Sequence, residues 1–486
     1  MKIKAIIFCF IIAMNGIVTN AQHYEAINGS NYAGSLGSHN NPASIVNTPY
    51  KWDLTLFGIQ AQAATNIIRI ENYSILSPAS KSQYYVRKGD FERKGAALAN
   101  INLLNTRIAI NQKKAFAFGA NIRTNARINT STYYFIDTLQ DVRDYLEKNL
   151  NNQPLSMNLI QSGWLEIYGS YAQTIIDNDF MRLNAGATIK LSRGLSGAQA
   201  RLENGRFQPI YNPNNPVSFL ITNGDTRYGY SSNYDKWQKN ASTTENLRTF
   251  VTNTQGGAAI DAGAELLIKT QAVATAFDDD DYFDYKWKLG VSLLDLGANQ
   301  YGYSKNSRST TGILPNITNV DINQKFDSTT TNITSFNDSL ATVVAQMSGL
   351  AGKFRIWNPA RLLLNADYYI QGDFYVNASL SINLSPLAGN KRLYVRDMSR
   401  FIITPRWETR RWGVYLPVSF NAENKLWIGG AFKAGPLLFG LHNLGYVFSK
   451  KTIQNGGGYI ALIIKAPTDT GKRRDKREDC PPGTFR

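Results

Sequence analysis

The densest group of residues that could bind a ligand is acidic. Residues 278–281 are four consecutive aspartates, and Asp284 follows them. Clustered carboxylates are ligands that Ca²⁺ prefers, but an EF-hand loop needs oxygen ligands at alternate positions and a glycine at the sixth. The corresponding fifth and sixth positions here are Tyr282 and Phe283. We therefore interpret the cluster as an exposed loop tip and predict no metal site.

Residues that carry out catalysis are sparse. The only histidines are His23, His39 and His442, scattered along the chain, and the sequence contains no GxSxG, HExxH, Walker or GxGxxG motif. A Ser–His pair around His442, as in hydrolases embedded in barrels, is the enzymatic alternative that the sequence leaves open. We predict a protein that is not an enzyme and has no cofactor.

Four cations are distinguished by their spacing. Arg123 and Arg127 alternate with apolar residues in one segment, and Arg182 and Lys190 do so in another. On the water-facing side of strands, such groups would favour passage of anionic solutes or amphiphile head groups, although a solvated face explains any single one of them. Other Lys and Arg residues near strand ends would meet the phosphates of outer-leaflet lipopolysaccharide.

The elements that carry these cations are strands with one apolar face. From 116 to 129, every even position is apolar or methyl-bearing. The odd positions begin with Ala117 and are then small, amide or cationic. A strand with this pattern sends one face to hydrocarbon and the other to water. Clear copies occur at 181–192, 373–384 and 412–421, and weaker copies at 165–173, 287–293, 426–434 and 459–465. Repeated alternating segments of about ten residues, separated by turns, predict a transmembrane β-barrel.

The amino terminus has the features of an export signal. Lys2 and Lys4 precede an apolar run at 5–18, and Thr19-Asn20-Ala21 forms a small-residue cleavage site. The run is shorter than the ~20 residues that a membrane-spanning helix needs, which disfavours an uncleaved anchor. We predict that residues 1–21 are removed and that the protein lies in the outer membrane of a Gram-negative cell. The net charge of +16 would suggest nucleic acid in a soluble protein, but export argues against that partner.

Aromatic residues make up 12% of the chain. At strand ends they suit the interfacial girdles of a barrel, and core residues of a secreted β-sandwich are the alternative. The expected girdle residues are Tyr50, Trp52, Trp164, Trp287, Trp407, Trp412 and Trp427.

Two segments between strands have helical periodicity. Residues 137–150, with Asp137 as the cap, and residues 335–347 are expected to form short helices that cap, plug or line a pore or lie in outer loops. After signal cleavage Cys480 is the only cysteine, so a disulfide within the chain is excluded.

The first residues of the mature chain resemble a known transporter family. Residues 37–58 read GSHNNPASIVNTPYKWDLTLFG, in which Asn41, Pro42 and Ala43 precede a strand, as in FadL-type outer-membrane transporters of hydrophobic compounds. Four later segments are similar to the FadL/PorV-like barrels of Bacteroidetes grouped as DUF5723. They are SGWLEIYGSYA (162–172), GVSLLDLG (290–297), GVYLPVSFN (413–421) and GPLLFGLHNLG (435–445).

This resemblance implies an all-β fold, an antiparallel barrel of about 14 strands at 51–467 with short loop helices. Residues 22–50 would form a hatch inside the lumen, and the basic tail 468–486 would lie in the periplasm. Asn41, Pro42 and Ala43 would form its gate. The resemblance implies passage of a hydrophobic or amphiphilic small molecule. The alternative is a PorV-like barrel that serves as scaffold for surface-protein export, with an outer-membrane or periplasmic protein partner.

Overall fold

The computed structural model describes residues 24–72, 80, 82–137, 141–211, 217–238, 240–269, 283–389, 392–395, 399–421, 426–448 and 455–466. The signal peptide, the aspartates 278–281 and the tail with Cys480 therefore lie outside the described residues. Within the described ranges, no cluster of His, Cys, Asp and Glu is arranged to hold a metal ion.

Strands dominate the chain. In order they are β1 (Trp52–Thr65), β2 (Ile68–Glu71), β3 (Gln83–Val86), β4 (Gly89–Asn111), β5 (Lys114–Phe135), β6 (Leu155–Asp177), β7 (Met181–Ile210), β8 (Ser218–Tyr230), β9 (Gln255–Ile268), β10 (Trp287–Gly302), β11 (Arg308–Ile313), β12 (Val344–Gly349), β13 (Lys353–Trp357), β14 (Arg361–Gln371), β15 (Phe374–Asn383), β16 (Leu393–Tyr394), β17 (Arg400–Glu408), β18 (Trp412–Tyr415), β19 (Val418–Asn421), β20 (Leu426–Ile428), β21 (Gly430–Ala434), β22 (Leu437–Leu441) and β23 (Asn455–Lys465). The described α-helices are Val142–Lys148, Thr243–Thr252, Asn319–Lys325, Ile333–Ala341 and Gly445–Phe448.

The wall is a closed antiparallel barrel of 14 strands, as the sequence predicts. Around the ring run β1, β4, β5, β6, β7, β9, β10, β14, β15, β17, β18 with β19, β20 with β21, β22 and β23. Pairing of β23 with β1, from Asp53 opposite Lys465 to Ala64 opposite Asn455, closes the ring. We call the end at Trp52 and Lys465 proximal and the opposite end distal. Closure leaves no unpaired edge inside the membrane.

The two faces of the wall differ as the alternation predicts. Phe116 and Phe118 are exposed on the outside of β5, whereas Asn121 and Arg123 are buried on its inside. The same alternation holds on β7, where Ile189 and Leu191 are outside. An outward apolar band around a polar interior is the arrangement of an outer-membrane barrel. None of the helices in the described part of the chain is long and apolar enough to span a membrane.

The distal end carries further structure. The first half of β7 pairs with β9 in the wall, and its second half extends beyond it to pair with β8. Strand β8 pairs with β11, which pairs with β12. Leu146, Phe207 and Phe219 form a small apolar core there.

Three sequence predictions are partly wrong. Trp52, Trp287 and Trp412 are exposed on the outer face, but Tyr50, Trp164 and Trp427 are buried and face inward, because they fall on the lumen side of the alternation or precede the wall. The helix expected at 137–150 is capped by Asp141 rather than Asp137.

The helix expected at 335–347 begins and ends earlier than predicted. It runs from Ile333 to Ala341, after an Asn332 cap. Residues from Val344 form β12 instead, because β11 offers them a pairing edge.

Candidate functional site

Residues 24–50 fall in the predicted hatch segment and pack against inward-facing residues of the wall, and we refer to them as the hatch. They form three short 3₁₀ turns, Glu25–Ile27, Gly34–His39 and Pro42–Val46. Most of their hydrogen bonds within the segment are local, and several other polar groups bond to the barrel wall. Ser292 of β10, for example, donates to the Asn40 carbonyl at 2.7 Å. Irregular backbone at this depth is tolerated because protein encloses it.

The segment Asn41-Pro42-Ala43 begins the third turn. The Asn41 Oδ1 accepts from the Ala43 N–H at 3.0 Å, and Pro42 occupies the first position of the turn, where no N–H is needed. The other end of the same side chain contacts the wall, since its Nδ2 donates to the Ala264 carbonyl of β9 at 3.0 Å. Asn41 thus both builds the turn and attaches it to the wall.

Three glycines on neighbouring strands make room for this turn. A Cβ on Gly186 of β7 would lie 2.6 Å from the Pro42 carbonyl carbon, and one on Gly263 of β9 would lie 2.2 Å from the Asn41 Oδ1. A Cβ on Gly290 of β10 would lie 3.1 Å from the Asn41 Nδ2. We call Gly186, Gly263 and Gly290 the glycine cradle. Glycine is needed there because the backbone of the hatch approaches closely.

The first part of the hatch is held differently. Its apolar side chains pack against strands β18, β21, β22 and β23 in one cluster, the apolar anchor: Tyr24, Ala26, Ile27, Ala33, Leu36, Tyr415, Ala431, Leu438, Tyr459, Ala461 and Ile463. Hydrogen bonds also hold this part of the hatch to the wall. The Tyr24 hydroxyl donates to Asn102 at 2.7 Å, and Ser30 donates to Glu408 at 2.7 Å.

Two of the four predicted lumen cations meet in a buried network across the barrel. Arg123 of β5 pairs through both terminal nitrogens with Asp295 of β10, at 2.6 and 2.8 Å. Lys190 contacts Asp295 at 2.6 Å and Asp261 at 2.7 Å. We call Arg123, Glu166, Lys190, Asp261 and Asp295 the cross-lumen network. Its cations are neutralised by carboxylates, as buried charges require.

The other two cations lie elsewhere. Arg182 is 3.3 Å from Asp177 at the proximal rim, and Arg127, which is half-buried, lies over the Tyr394 ring at 5.4 Å near the distal end. The four predicted cations therefore form no single site, because ten or more residues of extended strand separate some of them along the barrel.

Sequence reasoning missed the carboxylates of the network. Asp295 lies in a β-bulge of β10 between Leu293 and Leu296, with a positive φ of 59°. The bulge breaks the alternation and turns this carboxylate inward. A GVSLLDLG segment read as regular strand gives no such signal.

A cavity lies between the hatch and the wall. It is bordered by Gly29, Asn41, Glu265, Ser292 and Leu363 and has about 20 Å³, room for a water molecule. Ligand pockets have roughly 300–1,000 Å³, so this cavity holds no ligand of that size. Toward the distal end, one buried apolar cluster contains Ile160, Tyr301, Phe354, Ile356 and Val395.

Two hatch residues have perturbed acid–base behaviour. Burial, reinforced by Lys190 and Arg123, lowers the pKa of His39 from 6.5 to about 3, so its imidazole is neutral. Burial opposes ionisation of Glu25, but Arg400 and His442 more than offset it and lower its pKa to about 2. The two groups therefore respond to different pH ranges.

A family model of unknown function, DUF5723, matches residues 42–442. The chain belongs to the DUF5723 family. The matched region begins within the hatch, at Pro42, and ends at His442, beside the last two wall strands. The resemblance stated from the sequence is thereby confirmed, while an origin in Bacteroidetes stays a prediction.

Two solved structures are similar to the chain over most of its length, at low identity. The chain is 10% identical to a FadL homologue of Pseudomonas aeruginosa, covering 92% of this chain and 98% of that one, with a TM-score of 0.40. It is 10% identical to the Ralstonia pickettii toluene transporter TbuX, with coverages of 93% and 99% and a TM-score of 0.39. These values describe architecture and transfer no residue roles. No curated protein sequence matches the chain.

Proposed function

We propose that this protein is an outer-membrane channel that is closed by the hatch and opens for a hydrophobic or amphiphilic small molecule. The observation that carries the proposal is the seat of Asn41, Pro42 and Ala43 on the glycine cradle. A rigid, preformed turn rests there on bare backbone of the wall.

The contacts at the cradle suit a removable closure. The hydrogen bonds that shape the turn are internal to it, including Ala43 N–H to Asn41 Oδ1 and Ser44 hydroxyl to the Asn41 carbonyl. They persist when the turn leaves. The bond from Asn41 to the Ala264 carbonyl is exchangeable with water, and such bonds contribute only about 0.5–1.5 kcal/mol each. The other attachments of the turn are the burial of Ile45 and Val46 against three alanines and a hydrogen bond from Arg107 to the Ile45 carbonyl, so it has less to break than the apolar anchor has.

The lining behind the hatch supports an amphiphilic molecule. Displacement of the turn would uncover the small apolar side chains Ala115, Ala117 and Ala172 of β5 and β6. The same part of the wall carries the cross-lumen network and the buried amides of β4 and β5. An amphiphile has an apolar part and a polar part, which would contact the apolar and the polar side chains of this lining.

The polarity of the barrel in the membrane is part of the proposal. The wall begins and ends at the proximal end, which we place in the periplasm together with the basic tail 468–486. The distal extension would then face outside, with outer-membrane lipid and lipopolysaccharide around the band.

The test is permeability of the purified barrel in liposomes. Replacing Asn41 or Pro42 should raise conductance and uptake of an amphiphilic dye, while heat-modifiable migration in SDS gels shows that the barrel remains folded. Pro386→Gly is the matched control, because Pro386 also starts a 3₁₀ turn, Ser385–Ala388, but is exposed outside the lumen. Unchanged permeability of the Asn41 and Pro42 variants would remove the gate role.

The filled lumen favours a second candidate, a barrel that acts as scaffold or accessory in surface-protein export. The small cavity leaves no room for a solute, and Tyr84, Tyr211 and Leu387 expose large apolar surfaces on loops and short strands outside the barrel wall. Native mass spectrometry of the gently solubilised protein separates the candidates. A lipid-like mass that changes on Pro42 substitution favours the channel, and an empty barrel with a stoichiometric protein favours the scaffold.

A further inference from the structure

Hydrogen-bond donors without acceptors gather on the inner wall around Glu25. They lie on β15, β17, β19, β20 and the residue after β22, and each is at most 5% exposed. We call them the donor arc: Ser381, Arg400, Ser419, Trp427 and His442. Strand register brings them together, since Ser381 is opposite Arg400 and Ser419 is opposite Trp427.

The unpartnered atoms are specific. Among the described residues nothing accepts from Arg400 Nε and Nη2, Trp427 Nε1 or the hydroxyls of Ser381 and Ser419. The Nδ1 of His442 is 3.5 Å from the Glu25 Oε2, and its Nε2 has no hydrogen-bond partner among the described residues. The Glu25 carboxylate forms an ion pair with Arg400. Glu25 thus contacts two members of the donor arc, and the other three have no acceptor in the described part of the chain.

A neighbouring arginine differs from the donor arc, although single unpaired donors such as Gln60 Nε2 and Gln62 Nε2 occur elsewhere on the inner wall. Arg406 lies on the same strand, β17, and its terminal nitrogens are bound by Asp367 at 2.6 and 2.8 Å. Its Nε is 3.2 Å from Glu408. Leaving a buried donor unpaired costs about 1–3 kcal/mol, and more for a charged group. Five such residues at one place indicate a function that requires an acceptor.

We propose that the donor arc is a binding site for an oxyanion, either a carboxylate or a phosphate, and that the Glu25 carboxylate is its internal ligand. Such anions carry several acceptor lone pairs and accept charge-assisted hydrogen bonds from a guanidinium, a hydroxyl and an indole N–H together. Because Glu25 belongs to the first turn of the hatch, an external oxyanion competes with the hatch for Arg400. The site goes beyond the proposed channel and does not require it.

The first experiment is calorimetric titration of the purified full-length protein in an uncharged detergent. The probes are phosphate and acetate, with chloride keeping the ionic strength constant. Glu25→Gln should bind both about tenfold more tightly than the unaltered protein, because the internal competitor is gone, and Arg400→Gln in that background should abolish binding. Absence of saturable binding to the Glu25→Gln variant would overturn the proposal.

A milder variant covers the case in which loss of Arg400 prevents folding. Trp427→Phe keeps the ring and removes the Nε1 donor, so affinity of the Glu25→Gln protein should fall about three- to tenfold. Trp407→Phe, on the outer face of β17, is the matched control and should leave affinity unchanged. Equal affinity in both variants would show that the anion binds elsewhere and contradict the proposal.

Two further probes identify the source of the anion. If octanoate binds about tenfold more tightly than acetate, the site reads the head group of an amphiphile, since an alkyl chain adds apolar burial. If both bind alike, the ligand is a free anion. Binding is measured here without transport, so a barrel that binds phosphate but never conducts would contradict the channel and leave this site standing.

Discussion

The two parts of the hatch are held by different contacts. Residues 24–36 bury the large apolar side chains Tyr24, Ile27 and Leu36 in the apolar anchor. Residues 40–46 present a backbone turn to the glycine cradle, bury only Ile45 and Val46 against the small side chains Ala115, Ala117 and Ala172, and otherwise attach through hydrogen bonds. Burying a large apolar side chain contributes about 1.5–3 kcal/mol, and a hydrogen bond contributes about 0.5–1.5 kcal/mol.

This difference indicates where the hatch would open. The weaker attachment lies at the cradle, and the stronger one near the closing strands of the barrel. We therefore expect residues 40–46 to leave first and residues 24–36 to act as the fixed side. Four measurements test this division, three of them through hydrogen exchange of peptides from each part and one through conductance.

The largest effect is expected from Leu36→Ala. Leu36 is fully buried in the apolar anchor, and such a truncation costs about 2–5 kcal/mol. Exchange should rise in residues 24–36 and change little in residues 40–46. Leu387→Ala is the control because Leu387 is 82% exposed. Equal loss of protection in both parts would show that the hatch docks as one unit and refute the comparison.

The second effect comes from Gly263→Ala. The new methyl group would overlap the Asn41 side chain and should weaken docking of the turn by about 1–3 kcal/mol. Exchange at 40–46 and conductance should both rise. Gly256→Ala, on the same strand, adds a methyl group that meets nothing within 4 Å. If the two variants conduct alike, the cradle does not hold the turn.

The third effect is a pH dependence from His39. Because the buried imidazole has a pKa of about 3 and a solvated one 6.5, docking has full stability above pH 6.5 and loses it as pH falls towards 3. At pH 5.5 the loss is about 1.4 kcal/mol. The charged and titratable groups around it are Arg123, Lys190, Asp295, Arg361 and Tyr168. Conductance should therefore rise between pH 7 and 5.5.

The Glu25 side of the hatch should not respond in that range. The pKa of Glu25 is about 2 in place of the usual 4.5, so its contribution to the stability of docking is complete above pH 4.5 and is lost only below that pH. His39→Gln should remove the rise in conductance between pH 7 and 5.5. A rise that survives this substitution would assign the pH dependence to another group.

The smallest effect is expected from Asn41→Ala. The variant loses the cap of the turn and the bond to Ala264, together about 1 kcal/mol. Exchange at 40–46 should rise about fivefold, since 1.4 kcal/mol corresponds to tenfold. Asn332→Ala removes a comparable cap from the helix Ile333–Ala341, away from the hatch, and should leave these peptides unchanged. If exchange of the 40–46 peptides were the same in both variants, Asn41 would not attach the turn to the wall.

The sequence alone predicts which side chains of the wall face outward and which face inward. Alternation at 116–129 and 181–192 places each side chain on a face, because the strand period of two is a local property. The helix at 142–148 and the turn at Asn41-Pro42 are likewise local, since capping groups lie within a few residues.

The contact partners of the inward-facing residues depend on the tertiary structure. Arg123 and Asp295 are 172 positions apart, and only closure of the ring brings their side chains together. The positive φ of Asp295, the cradle glycines and the donor arc around Glu25 follow from packing a second segment into the lumen. Local periodicity carries no information about such partners, because contacts across a barrel depend on strand order and register rather than on neighbouring residues.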